Sequence, residues 1–317
     1  MGITKKEALD CFQSDDLVGI GMEADTVRRR LHPEGVVSYT LDGSIAYTNS
    51  SNDAAFEALC EEITAIAAKG GSAITLQGTL TPTHTITWFE ALFRNLKQRF
   101  PALWLHALSA SEILAIANQS DLSIEATINH LHEAGLDSIP GNDAGILDNA
   151  IQQQSARSCG KDAWLEVHRT AHTLGIPTTA TMTFGAGETT EHRVNHLETL
   201  RQLQAETGGF VSFTPWSFTP QHTSINGFEE ATAVEYLKTL AISRMYLDNI
   251  ENIQSNLETQ GLKVLQVGLR FGGNDAGSVL LAEGANAATE EQIRQVIRDA
   301  GFKPVQRDTP YRTMFLN

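Results

Sequence analysis

The sequence is poor in cysteine and in positive charge. Its three cysteines, Cys11, Cys60 and Cys159, lie far apart with no C-x2-C spacing, which excludes a disulfide framework and a sequence-local metal motif. Lys and Arg number 23 against 38 Asp and Glu, a net charge of −15. Such a field repels phosphate backbones and anionic lipid, so nucleic acid and membrane surfaces are excluded as main partners. No stretch approaches the length of a membrane span, and the N-terminal MGITKKEALD has no apolar signal core, so a soluble, cytoplasmic chain is expected. Gly and Pro, at 25 and 9 of 317 residues, are too few for a collagen-like or low-complexity chain.

What is present is core material: 41% hydrophobic and 19% charged residues. With no solenoid repeat and no Pro/Ser-rich linker, residues 1–317 read as one domain, with 1–31 as an N-terminal helical extension split near Ser14-Asp15-Asp16. Short β-branched runs alternate with longer amphipathic ones. The predicted strands are Val36–Asp42, Ala73–Gln77, Leu103–Leu108, Asp137–Pro140, Pro177–Met182, Phe210–Trp216, Val264–Leu269 and Ser278–Ala282. Predicted helices between them include Ala54–Lys69, Lys161–Leu174, Glu191–Thr207 and Ala231–Gln260. Glycines such as Gly135, Gly175 and Gly261 stand just before strands, at the left-handed position that ends a helix. Strand followed by helix, repeated, points to an α/β fold of the (β/α)8 TIM-barrel type over residues 32–317. The open doubly wound alternative lacks a GxGxxG after its first strand.

In such a barrel the site lies at the carboxyl ends of the strands. Tyr47, Asn49, Gln77, Thr79, Asn142, Thr183, Trp216, Asn274 and Asp275 fall there and form the expected substrate-binding set. The mixture is polar, amide-rich and short of Arg and Lys, which suits the sugar and ring of a nucleoside-sized ligand better than a bare phosphate. Asp143, Glu188 and His106 are the candidate acid–base groups. At any single position helix capping or turn formation explains the same residue type, and only the clustering argues for a site. His192 and His196 have a zinc-compatible i, i+4 spacing but lack the HExxH glutamate, so they read as an exposed or helix-packed pair.

The run Trp164–Thr223 (WLEVHRTAHTLGIPTTATMTFGAGETTEHRVNHLETLRQLQAETGGFVSFTPWSFTPQHT) closely resembles dehypoxanthine futalosine cyclase, the radical-SAM enzyme family of the futalosine route to menaquinone. LDSIPGNDAGIL, LHALSASEI, RMYLDNIENIQ, FGGNDAGS, LHPEGVVSYTLDGSIAYTN and the C-terminal QRDTPY extend the resemblance over nearly the whole chain. It implies a radical-SAM-type barrel, with relatives in aminofutalosine synthase and the deazaflavin precursor synthases.

The chain also departs from that family. Where the family carries a C-x3-C-x2-C loop for a 4Fe–4S cluster that binds SAM, this sequence reads Tyr47-Thr48-Asn49-Ser50-Ser51-Asn52-Asp53. The family's Arg-Asn-Ile is Gly43-Ser44-Ile45, its QGG is Gln77-Gly78-Thr79, its GGGAE is Gly141-Asn142-Asp143-Ala144-Gly145, and its Glu-Glu-Asn-Val is Glu283-Gly284-Ala285-Asn286. Clusters are held by thiolates, so these departures lead to the expectation of a cluster-less relative with no cofactor. It would bind a nucleoside-derived or menaquinone-related small molecule and act, if at all, as a non-radical lyase, hydrolase or isomerase. An inert metabolite- or partner-binding paralogue is the alternative, and a metal-dependent hydrolase at His84, His106 and Asp143 a third.

Overall fold

The computed structural model describes residues 2–47, 53–152, 159–218, 231–281 and 284–315. Helices α1 (Lys5–Gln13) and α2 (Leu17–Leu31) open the chain, followed by strands β1 (Val36–Thr40) and β2 (Gly43–Ala46). Then come α3 (Asp53–Ala68), β3 (Ala73–Gln77), α4 (Ile86–Arg99), β4 (Trp104–Ala107), α5 (Ala110–Ser120), α6 (Ile124–Ala134) and α7 (Asn149–Gln152). The second half runs α8 (Lys161–Thr173), β5 (Thr178–Phe184), α9 (Thr190–Thr207), β6 (Phe210–Ser217), α10 (Ala233–Tyr246), β7 (Asn252–Ile253) and α11 (Leu257–Gly268). It ends with β8 (Asp275–Ser278), α12 (Glu290–Asp299), β9 (Lys303–Arg307) and β10 (Met314–Phe315). Helix starts are set by side chains that take up free amide N–H groups: Thr4 with Glu7, Ser109 with Glu112 and Thr289 with Gln292 form reciprocal capping boxes.

The fold is mixed α/β. Its strands pair in three sheets, ordered β10-β9-β1-β8, β2-β3-β4 and β5-β6-β7. All pairings are parallel except β10 on β9. The expected single eight-stranded ladder is not what the hydrogen bonds draw. The sheets instead meet edge to edge through isolated bridges, His106↔Ser138, Ile139↔Thr178 and Gln254↔Asp275. The Asp137–Pro140 strand survives only as two of these bridges.

Alternation along the strands separates two faces. Leu105, Ala107, Ile139, Ala180, Met182, Phe184 and Phe213 turn to the helices and join Phe89, Phe93, Trp164 and Leu197 in the main core. A second cluster, including Val37, Tyr39, Leu265, Ile293, Ile297 and Phe302, seats α11 and α12 against β1. The opposite, inner face carries hydroxyls, amides, His106 and Trp216.

Three predicted elements are corrected. Val264–Leu269 lies within and just past helix α11, not in a strand: Asn256 starts the helix by accepting from the Thr259 N–H at 2.7 Å, Gly261 kinks it with a left-handed backbone (φ +70°), and the helical stretch after the kink buries Leu265. The predicted helix Ala231–Gln260 is interrupted by β7. At the predicted strand Ser278–Ala282 the pairing has already ended with β8, and Val279–Leu281 forms one tight 3-10 turn.

Candidate functional site

The inner face is assembled by short polar contacts that cross from strand to strand. Gln77, at the end of β3, donates from Nε2 to Ser44 Oγ of β2 at 3.2 Å and accepts from Asn142 Nδ2 at 3.1 Å. Gly141 is pinned to β5: its N–H donates to Thr179 Oγ1 at 3.1 Å and its carbonyl accepts from Thr181 Oγ1 at 2.5 Å. A Cβ at Gly141 would lie 2.3 Å from the Thr179 carbonyl oxygen, so this approach requires glycine. Thr183 stands opposite Trp216 in the β5–β6 register, and Thr214 Oγ1 donates to Gln254 Oε1 at 2.7 Å. Exposed Gln77 and Asn142 and half-buried Thr183 and Trp216 thus form one polar rim with an aromatic face.

His106 lies deeper. Its Nδ1 is 2.7 Å from Ser138 Oγ, which also accepts the Trp104 indole N–H at 2.7 Å. Burial, reinforced by the charge of Arg307, pushes its pKa down to about 4, so the imidazole is neutral at pH 7.

The other candidates have different tasks. Asp143 accepts from the Trp164 indole N–H at 3.0 Å and from the Ser111 N–H at 2.7 Å, tying the loop to α8 and to the start of α5. Glu188 accepts from the Gly185 and Ala186 N–H groups at 2.8 and 2.9 Å and from Arg193 Nε at 2.7 Å. Burial alone would raise the Glu188 carboxyl, but these amides and Arg193 outweigh it and hold it below the usual range. Both carboxylates therefore hold in place the loops that follow the strands.

Tyr47 donates its hydroxyl to Glu112, whose carboxyl burial pushes up. Asn274 accepts from Arg244 and from the Ile253 N–H and donates to Asn252. Asp275 is bound by Arg307, Ser38 and the Gly277 N–H. Thr79 is exposed, and Asn49 lies outside the described residues. The predicted hydrolase set is not assembled: among the described residues no three His, Cys, Asp or Glu side chains are placed to hold a metal ion. His84 instead accepts the Thr81 N–H at 3.1 Å, its ring enclosed by Tyr47, Trp88 and Phe89. Sequence reasoning missed Ser138 and Gln254.

A parallel α/β scaffold of this kind has counterparts among solved structures. Methylornithine synthase (PylB) superposes with a TM-score of 0.70 at 15% identity, over 96% of this chain and 94% of that one. The FeFe-hydrogenase maturase HydG gives 0.73 at 13% identity, over 98% and 74%. Residues 207–316 match the family model described as CofH/MqnC C-terminal region. Cyclic dehypoxanthine futalosine synthase of Halalkalibacterium halodurans is 34% identical over 98% of this chain and 90% of its own length. The enzyme of that name from Streptomyces coelicolor is 34% identical over 99% and 86%. The 5-amino-6-(D-ribitylamino)uracil–L-tyrosine 4-hydroxyphenyl transferase of Methanothermobacter thermautotrophicus is 37% identical over 98% and 94%. The chain belongs to the cyclic dehypoxanthine futalosine synthase family.

These findings correct the expectation of a protein outside radical chemistry and without a cofactor. Relatives matching nearly end to end carry enzyme names, in a family that the resemblance gives as radical-SAM, and nothing among them marks a cluster-less, non-radical branch. The chain's own donor set is a separate matter. Half-buried Cys11 and Cys159 and buried Cys60 are dispersed, and 48–53 contains no cysteine. They do not supply the three thiolates of a cluster.

Proposed function

We propose that this chain is a cytoplasmic enzyme acting on a nucleoside-derived molecule of the futalosine type, held on the inner face of the sheets at their carboxyl ends. In this reading the three sheets close as one barrel. The edge-to-edge bridges and the likeness in fold to PylB and HydG support that closure.

The observation that carries the proposal is the character of the inner face. From Gln77 and Asn142 at the rim through Thr181, Thr183 and Thr214, it is lined by neutral hydroxyls and amides, with Trp216 beside them. Neutral donors and acceptors match the vicinal hydroxyls of a sugar, and an indole offers a face to a ring. The names of the relatives contain dehypoxanthine futalosine and a uracil that carries a D-ribitylamino group. Trp216, Gln77, Asn142 and Thr183 bind and orient the molecule, and neutral His106 offers a hydrogen-bonding nitrogen below it.

Calorimetric titration with dehypoxanthine futalosine, beside 5-amino-6-(D-ribitylamino)uracil and adenosine, tests the reading. Saturable binding of the first, weakened at least tenfold by Trp216→Ala, is expected. Binding of the ribitylaminouracil alone would move the substrate to that branch of the family. Binding of neither would remove the proposal.

A further inference from the structure

The loop 308–313, between β9 and β10, runs from the carboxyl end of β9 to the residue before β2, the start of β4 and the flank of β7. Asp308 shapes the loop: its Oδ1 accepts the N–H groups of Arg312 at 2.8 Å and Thr313 at 3.1 Å, and its own N–H donates to the Thr313 carbonyl. At the tip Tyr311 takes a left-handed backbone, φ +59°, uncommon for an aromatic residue and costing of order 1 kcal/mol or more.

The contacts reach several sides of the fold. Thr309 Oγ1 donates to Asp42 Oδ2 at 2.8 Å, between β1 and β2. The Arg307 guanidinium lies 3.7 Å from the centre of the Tyr311 ring, and that of Arg312 lies 5.0 Å from the Trp104 ring at the start of β4. Beside β7, Gln254 Nε2 donates to the Tyr311 hydroxyl at 3.2 Å.

This last bond has a consequence above it. With Nε2 directed to Tyr311, the amide turns Oε1 to Thr214, which spends its proton there at 2.7 Å. The remaining lone pairs of Thr214 are then acceptors only. We propose that loop 308–313 is the floor of the ligand chamber and that Tyr311 is a positioning residue, which through Gln254 sets Thr214 to receive a hydroxyl of the bound molecule. The proposal rests on the reading of the inner face as the ligand site. It also gives the strained backbone a task, since no other residue of the loop places a hydroxyl against Gln254.

Two variants of the full chain test it. Tyr311→Phe keeps the ring under Arg307 and removes only the hydroxyl. It is expected to weaken dehypoxanthine futalosine binding roughly five- to tenfold, the weight of one well-placed hydrogen bond. It should also shift the Gln254 side-chain amide resonance in glutamine-labelled protein, whether or not ligand is present. Tyr311→Ala opens the floor and is expected to speed amide exchange in 36–42, 104–107 and 252–255. An unmoved Gln254 resonance, or unchanged affinity, overturns the positioning role. Unchanged exchange in all three segments overturns the floor. If the unaltered chain does not bind dehypoxanthine futalosine, the proposed substrate falls, while the resonance and the exchange pattern still decide the role of Tyr311.

Discussion

Arg307 and Asp275 meet as a two-pronged ion pair from either side of β1, Nε to Oδ2 at 2.6 Å and Nη2 to Oδ1 at 2.9 Å, with both side chains almost wholly buried. Ser38 of β1 adds its hydroxyl to the same carboxylate at 2.5 Å. The pair joins the last long strand to β8 and holds the base of loop 308–313. Asp275→Ala would leave a guanidinium buried without a counter-charge, and a loss of about 3–5 kcal/mol in urea unfolding is expected. Asp275→Asn keeps one acceptor and should cost less. Equal, small effects for both would show that water reaches Arg307 and that the pair contributes little.

The buried histidines predict acid lability. Burial, with smaller contributions from nearby positive charge, pushes His106 and His172 down to about 4 and His196 to about 3, against an ordinary 6.5. Between those values the unfolded chain binds protons that the folded chain refuses. The stability from their neutral forms is therefore complete above about pH 6.5 and is lost as pH falls toward 4. Glu112, raised by burial, has the opposite sign: its share is present below its ordinary value and lost as pH rises. Four histidines, with His168 also pushed well down by burial, against one raised carboxyl make acid destabilisation the net expectation. Urea midpoints at intervals from pH 8 to 4.5 should fall steadily below 6.5, and His196→Phe should flatten the slope. A level profile across that range would contradict the assignment.

The parts of the fold legible in the sequence are those written in local pattern. The strand Ala73–Gln77 and the helices Lys161–Thr173 and Thr190–Thr207 lie where periodicity puts them, because alternation and capping act within a few residues. Strand β2 was not legible: Gly43-Ser44-Ile45-Ala46 has turn-like composition and becomes a strand only by pairing with β3. The same limit governs the candidate site. Asp143 is visible as a carboxylate near a strand end, but the Trp164 indole that occupies it is fixed by tertiary packing, whereas Glu188 takes the Gly185 and Ala186 amides within its own turn. Gln254 and Tyr311 are 57 residues apart and meet only in the folded chain. The missing cysteines were plain to read, yet the step from them to a protein outside the family's chemistry was overturned by relatives aligned over nearly its full length.

Asp143 offers a direct separation of structural from chemical roles. Its two oxygens face two N–H donors, Trp164 Nε1 and the Ser111 amide. Asp143→Asn can present an oxygen to only one of them and must turn an NH2 toward the other. A stability loss of about 1–3 kcal/mol is expected, while affinity for dehypoxanthine futalosine below the melting range stays within about twofold. Intact stability with abolished turnover in an assay of the family's reaction would restore it as an acid–base group.

Arg244 carries the sharpest test of the packing beneath the site. It is fully buried, and its fork donates to neutral acceptors: the Gly272 carbonyl at 2.8 Å, the Glu251 carbonyl at 2.9 Å, the Ile250 carbonyl at 3.4 Å and Asn274 Oδ1 at 2.5 Å. Burial, aided by the nearby charge of Arg28, pushes it down to about 9, yet at pH 7 it remains charged. These acceptors lie in the segments before β7 and β8, so one planar group aligns both strands and, through Asn274, the Ile253 N–H. A lysine ammonium is a point donor on a shorter stem and cannot reach all four. Arg244→Lys is therefore expected to cost about 3 kcal/mol or more, since the carbonyls it abandons are buried. Amide exchange should rise first in 250–255 and 272–276. If Arg244→Lys unfolds at the same urea concentration as the unaltered chain, the alignment of β7 and β8 rests on their own pairing instead, and Arg244 merely fills the space between them.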